Sequence, residues 1–213
     1  MVGEQLVVKE QLNESKMMQV LDWSYDKAVN GLGGMENTRV LADSYMNKAY
    51  SIDEAIDRFI ASQQAKCAAS GFITGLGGLA TLPISVPANI TSVIFIQMRM
   101  IATIATMRGY DLRDDKVRTL VYVALTGQTA ADILKDVGIK IGTQMSTALI
   151  KKIPMSVIRQ INKAVGFKLV TKFGEKGVIS LGKCVPLLGG IIGGTVDAVG
   201  TLTIGKTAKK IFI

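Results

Sequence analysis

Apolar positions recur along this chain at helical rather than strand spacing. Between Gln5 and about Asn30 they fall at Leu6, Met17, Val20, Leu21 and Val29, and Gly31, Gly33 and Gly34 then stop the run. A first helix is expected to end at that glycine cluster. Ser51-Ile52-Asp53-Glu54 has the S-x-x-E form of a capping box, in which the serine hydroxyl and glutamate carboxylate take up free N–H groups of the first turn. It predicts a helix reaching about Ala69, with Ile52, Ile56, Phe59 and Ile60 on one face.

From Cys67 to Met98 no residue is charged across 32 positions, long enough on paper to span a bilayer. Gly75, Gly77 and Gly78, then Pro83 and Pro87, divide the stretch into an apolar Gly/Pro-rich connection and a new helix from about Ser85 to Met107, with Arg99 and Arg108 inside it or at its end. Ile90, Val93, Ile94, Phe95, Ile96, Met98, Met100, Ile101 and Ile104 cover every direction of that helix. Such a helix belongs at the centre of a bundle or in lipid.

Asp114 and Asp115 open a further helix that runs to Gly127, Thr129 another that runs to Gly138, and Pro154 and Ser156 a basic one containing Arg159, Lys163 and Lys168. The stretch Val185 to Gly194 leads into a last helix. Lys206, Lys209 and Lys210 lie on one side of it, and Ile204, Ala208, Ile211 and Phe212 lie roughly opposite. The fold class expected is all-α: one multi-helix bundle with an apolar Gly/Pro-rich connection and a glycine-rich C-terminal helical hairpin. Residues 1–50 are read as an N-terminal helical extension and 51–213 as the main helical domain.

Composition turns this pattern toward a surface or partner. Of 213 residues, 48% are apolar and only 20% charged, and the mean hydropathy of +0.33 is high. The charge is uneven. Residues 1–106 hold 8 basic and 10 acidic side chains, while residues 107–213 hold 17 and 7. From 138 onward there are 12 Lys or Arg against only Glu175 and Asp197, which makes the basic end the expected contact surface for phosphate groups. The only aromatic residues there are Phe167, Phe173 and Phe212, too few for a base-stacking platform, so nucleic acid is not the expected partner.

The chain contains no histidine, which excludes Ser-His-Asp and Cys-His catalysis and removes the commonest transition-metal ligand. Neither a metal nor a cofactor is expected. Cys67 and Cys184 have no CxxC spacing and read as small buried hydrophobes. No basic leader precedes a short apolar stretch, so a cytoplasmic protein is expected.

Two motifs remain. Gly200-Thr-Leu-Thr-Ile-Gly205-Lys206-Thr207 matches the phosphate-loop pattern G-x-x-x-x-G-K-[ST], but only six residues follow it and no strand precedes it, so nucleotide binding is set aside. Gly71/Gly75, Gly138/Gly142, Gly189/Gly193 and Gly190/Gly194 are small-residue spacings that let helices approach closely. Gln97, Arg99, Arg108, Tyr110 and Asp111 gather around the end of the most apolar helix, where a buried Arg needs a carboxylate or carbonyl partner, from Asp111 or another helix.

Gly71-Phe-Ile-Thr-Gly-Leu-Gly-Gly-Leu-Ala-Thr-Leu-Pro83, Pro87, Gln97-Met-Arg-Met-Ile-Ala and Gly109-Tyr-Asp111 resemble the EcsC protein family in order and spacing. The likeness continues through Val117-Arg-Thr-Leu-Val and Val185 to Asp197, and covers roughly residues 50–213. The resemblance implies a bacterial, largely helical protein of a family named for a gene beside an ABC exporter. It carries over no catalytic residues.

The leading expectation is therefore a cytoplasmic accessory protein, peripheral at the inner face of the bacterial membrane. Without evident catalytic activity, it would contact anionic lipid head groups, or a membrane protein such as an ABC transporter, through its basic C-terminal third, with Lys206, Lys209 and Lys210 as the candidate surface residues. The alternative is an acyl-chain carrier or enzyme with a pocket drawn from Thr74, Gly75, Gly77, Gly78, Asn89, Gln97, Arg99, Tyr110 and Asp111. A third reading is a module that pairs with a second copy of itself through its small-residue faces.

Overall fold

The computed structural model describes residues 12–68, 88–140, 147–173 and 189–213, with side chains at 12–65, 90–140, 147–173 and 200–213. These residues form helices and turns with no strand among them, the all-α bundle that the periodicity predicts.

Helix α1 (Glu14–Asn30) starts where the Asn13 side chain accepts the Lys16 N–H at 2.9 Å. It stops at Gly31, whose φ of +93° is left-handed and whose N–H bonds the Lys27 carbonyl. A side chain at Gly31 would meet the Met35 carbonyl at 2.7 Å, so this turn requires glycine on two counts. Met17, Val20, Leu21, Tyr25 and Ala28 form the buried stripe. Helix α2 (Thr38–Met46) is capped in the same way by Asn37.

Helix α3 (Ile52–Ala68) begins at the expected box. The Ser51 hydroxyl accepts the Glu54 N–H at 3.1 Å, but the Glu54 carboxylate accepts from Tyr50 N–H, one residue earlier than the reciprocal box requires. Ile56, Phe59 and Ile60 are buried, whereas Ile52 is 44% exposed. It shares their angular face but sits at the very start of the helix, beyond the edge of the core.

Helix α4 (Ala88–Met107) is the hub, packed against α1, α2, α3, the following helix α5 (Asp115–Leu125) and the last helix. Its window Ile90–Met107 is apolar enough to cross a bilayer, yet 83% of that window is buried among the other helices. Within this fold it is the core helix. Its end is a Schellman turn: Tyr110 N–H reaches the Ala105 carbonyl and Gly109 N–H that of Thr106, with Gly109 at φ +78°. Asp114 caps α5 by accepting the Lys116 N–H.

After α5, one 3₁₀ turn (Gly127–Thr129) leads to α6 (Ala130–Asp136), closed by a second Schellman turn at Gly138, φ +79°. The short α7 (Thr147–Lys151) precedes α8 (Met155–Phe173), and α9 (Gly189–Ile211) packs along α3. Gly189 to Gly194 are the first turns of α9 rather than a lead-in to it. The other half of the expected hairpin, the Gly/Pro-rich connection at 69–87, Gly142 and Cys184 lie outside the described residues, as does the side chain of Cys67.

Candidate functional site

The Gly-Tyr-Asp segment is a corner with three mechanical parts. Gly109 stops α4. Tyr110 turns inward, packs edge-on against Phe212 with ring centroids 5.0 Å apart, and donates its hydroxyl hydrogen to the Ile213 carbonyl at 3.1 Å. Asp111 accepts the Arg113 N–H at 2.9 Å and tightens the turn into α5.

This corner borders an open groove of about 910 Å³ between α1, α2 and the α4–α5 turn. Its charges are mixed: Arg39, Arg113 and Arg118 stand among Asp26, Asp43, Asp111 and Asp115. Arg118 is held, donating from Nε to the Tyr122 hydroxyl at 2.7 Å and from Nη2 to Asp22 at 2.6 Å, while Tyr122 donates to the same Asp22 oxygen at 2.8 Å. Its guanidinium also lies over the Tyr25 ring, 5.1 Å from the centroid. Burial pushes both the Tyr25 and Tyr122 phenols well above the ordinary tyrosine value, so neither is a base near neutrality.

The expected ligand residues separate in space. Tyr110 and Asp111 line the groove, whereas Gln97 lies ten residues before the end of α4, about 15 Å further along at 1.5 Å per residue. Gln97 is buried, and its Oε1 has no hydrogen-bond partner among the described residues. Arg99 donates to the Glu36 carbonyl at 2.8 Å, a backbone partner rather than Asp111. Burial lowers its guanidinium pKa somewhat. Thr74, Gly75, Gly77 and Gly78, and the side chain of Asn89, lie outside the described residues.

The lysines of α9 also divide. Lys206 and Lys210 are exposed, while Lys209 bonds both oxygens of Asp57 at 2.8 and 2.9 Å and one of Asp53 at 3.1 Å. Arg108 meets the same Asp53 oxygen at 2.7 Å, so one acidic face of α3 ties α4 and α9 together. Hydrogen bonding from Lys209, with Arg108 nearby, holds the Asp53 carboxyl below its ordinary value. Ile204, Ala208, Ile211 and Phe212 are buried, so the apolar side of this helix docks on the core. The Gly200–Thr207 motif is continuous helix, not a loop with free N–H groups. Gly205 serves contact instead: a Cβ there would stand 2.9 Å from the Ile60 side chain.

A larger basic surface lies on α8. Its exposed positions include Met155, Arg159, Lys163 and Phe167, which recur every four residues, and Lys168 and Lys172, which lie further round the helix; none of the six is acidic. The sequence signal was present, since no Asp or Glu occurs from 137 to 174. A second groove of about 610 Å³ runs from Lys168 and Lys172 across the Gly127–Thr129 turn to Gly200 and Thr203 of α9. Helical spacing puts Lys206 and Lys210 on the α9 face that carries Thr203 and Thr207.

A helical bundle wrapped on one apolar central helix, with a glycine-tyrosine-aspartate corner at its end, defines the class. The chain belongs to the EcsC protein family, whose family model matches residues 7–213. That match begins upstream of the stretch from residue 50 on which the motifs lie. No curated protein and no solved structure matches the chain significantly.

Proposed function

We propose that the protein docks peripherally on an anionic membrane surface, at the cytoplasmic face of the bacterial membrane, through the exposed face of α8 and the neighbouring lysines of α9. The observation that carries this reading is the exposed side of α8, where four cations are spread around exposed Phe167 (58%) and Met155 (49%) and no residue of the helix is acidic. Lys or Arg close to an anionic surface contributes about 1 kcal/mol each, and the two apolar side chains add shallow insertion. The burial of α4 within the bundle favours a protein that lies on the membrane over one that crosses it. The mixed charges of the larger groove make it the weaker surface for an anionic layer.

Sedimentation with phosphatidylglycerol/phosphatidylcholine vesicles and with pure phosphatidylcholine vesicles tests the reading. Binding to the anionic vesicles that fades as salt approaches 0.5 M is expected, because the Debye length there falls to about half its physiological value. Arg159→Glu with Lys163→Glu should abolish it. Absence of sedimentation with anionic vesicles at low salt overturns the lipid reading, and retention on native inner-membrane vesicles alone would assign the same face to a membrane protein.

A further inference from the structure

We infer that the groove between α8, the Gly127–Thr129 turn and α9 is a discrete site for a terminal phosphate group, held by the ammonium groups of Lys168 and Lys172 and the side-chain amide of Gln128. The inference deepens the membrane reading and rests on it for a lipid as the phosphate source.

The groove, about 610 Å³, has room for a phosphate and part of a head group, and its described lining holds two lysines and no carboxylate. A built anion site needs cations that the protein positions without neutralising, and among the described residues Lys172 meets that condition. Among the described residues its one protein acceptor is the Leu125 carbonyl at 3.4 Å, a long contact that leaves most of its hydrogen-bonding capacity open. Leu125 is the last residue of α5, whose negative dipole end attracts the ammonium without supplying a full counter-charge. The Phe173 ring lies 5.3 Å from the same ammonium and restricts it further. Although much of the Lys172 residue is open to solvent, protein crowds its ammonium enough to push it below the ordinary lysine value. A cation partly stripped of water gains more from an anion than a solvated one.

Lys168, one helical turn earlier on the exposed face, supplies a second charge, and Gln128 supplies neutral donors from the Gly127–Thr129 turn. Two lysines suit a phosphate monoester, which carries more than one negative charge and presents three terminal oxygens. A phosphodiester is flanked on both sides and presents two.

The test compares phosphatidylcholine vesicles containing phosphatidic acid with vesicles containing phosphatidylserine, matched in surface potential. The wild-type chain is expected to partition about tenfold more strongly onto phosphatidic acid, the scale of one charge-assisted contact. Lys172→Met should erase that preference while lowering phosphatidylserine binding no more than Lys163→Met does, and Lys163→Met, outside the groove lining, should weaken both alike. If Lys172→Met fails to fold, as judged by thermal unfolding, Lys168→Met replaces it.

Equal wild-type partitioning onto the two vesicles overturns the site and leaves the membrane reading standing. Binding to neither overturns the membrane reading. In that event glycerol 3-phosphate is titrated without lipid while the lysine side-chain resonances are followed by NMR. A saturable shift lost in the Lys172 variant supports the site with a soluble ester as its source, and no shift overturns it.

Discussion

Lys209 of α9 grips both carboxylate oxygens of Asp57 on α3, at 2.8 and 2.9 Å, although 152 residues separate the two along the chain. A third contact, to Asp53, brings in Arg108 from α4. This lysine therefore belongs to the packing of three helices, while its neighbours Lys206 and Lys210 face solvent.

Lys209→Met is expected to leave vesicle binding within about twofold of wild type and to reduce stability by about 1 kcal/mol or less, since the pair is largely solvent-screened. Lys206→Met with Lys210→Met should do the opposite, weakening adsorption on anionic vesicles with little change in the denaturant midpoint. Parallel sedimentation and urea titrations distinguish the two, and a loss of adsorption in the Lys209 variant as large as in the double variant would refute the division.

The same cluster sets a pH dependence. The folded protein depresses the Asp53 carboxyl, so its contribution is present above the ordinary aspartate value of about 3.9 and is lost as pH falls through the lower folded value. Burial opposes ionisation of Lys209, but hydrogen bonds to Asp57 and Asp53 outweigh it and raise its pKa. That contribution is present below the ordinary lysine value of about 10.4 and is lost as pH rises through the higher folded value. Asp53→Asn should make stability fall less steeply with acid below pH about 4, measured by urea midpoints across pH. An unchanged acid slope would separate the ion pairs from acid unfolding.

Two glycines of one helix should respond in opposite directions. Gly200→Ala places a methyl in open space among the described residues and gains up to about 1 kcal/mol of helix propensity. Gly205→Ala gains the same propensity but drives a methyl to within 2.9 Å of Ile60, an overpacking cost of about 1–3 kcal/mol. Thermal unfolding should rank Gly200→Ala above wild type and Gly205→Ala below it.

Around Arg118, Tyr122→Phe removes one bond given to Asp22 and one received from Arg118, for an expected cost of about 1–2 kcal/mol. Arg118→Lys keeps the charge but loses the forked geometry that reaches Tyr122 and Asp22 together, and should cost about as much. If the lysine variant is as stable as wild type, charge alone suffices at this interface.

Local chemistry made several helix ends legible in advance. The Ser51–Glu54 box, the Asp114 cap and the helix stops at Gly31 and Gly138 each depend on residues a few positions apart. The pattern overlooked α2, although Asn37 announces it, because nine residues with three buried positions give too short a period to stand out. The five-residue α7 escaped for the same reason. Arg99 shows a different limit: the need for a partner was visible, but that the partner is a Glu36 carbonyl depends on how α1 and α2 cross α4.

By itself, then, the sequence determined the helical class, the apolar central helix, the basic last third and the absence of histidine chemistry, since all of these follow from residue type, period and charge. Only the tertiary structure decided which basic residues are available. It neutralised Lys209 against α3, left Lys206 and Lys210 open, and gathered Lys168, Lys172 and Gln128 from separate segments around one groove. It also made the phosphate-loop lookalike a helix in which Gly205 admits Ile60. The physical reason is the same throughout: a charge or a glycine acquires its role from what packs against it, and that neighbour lies up to 152 residues away along the chain.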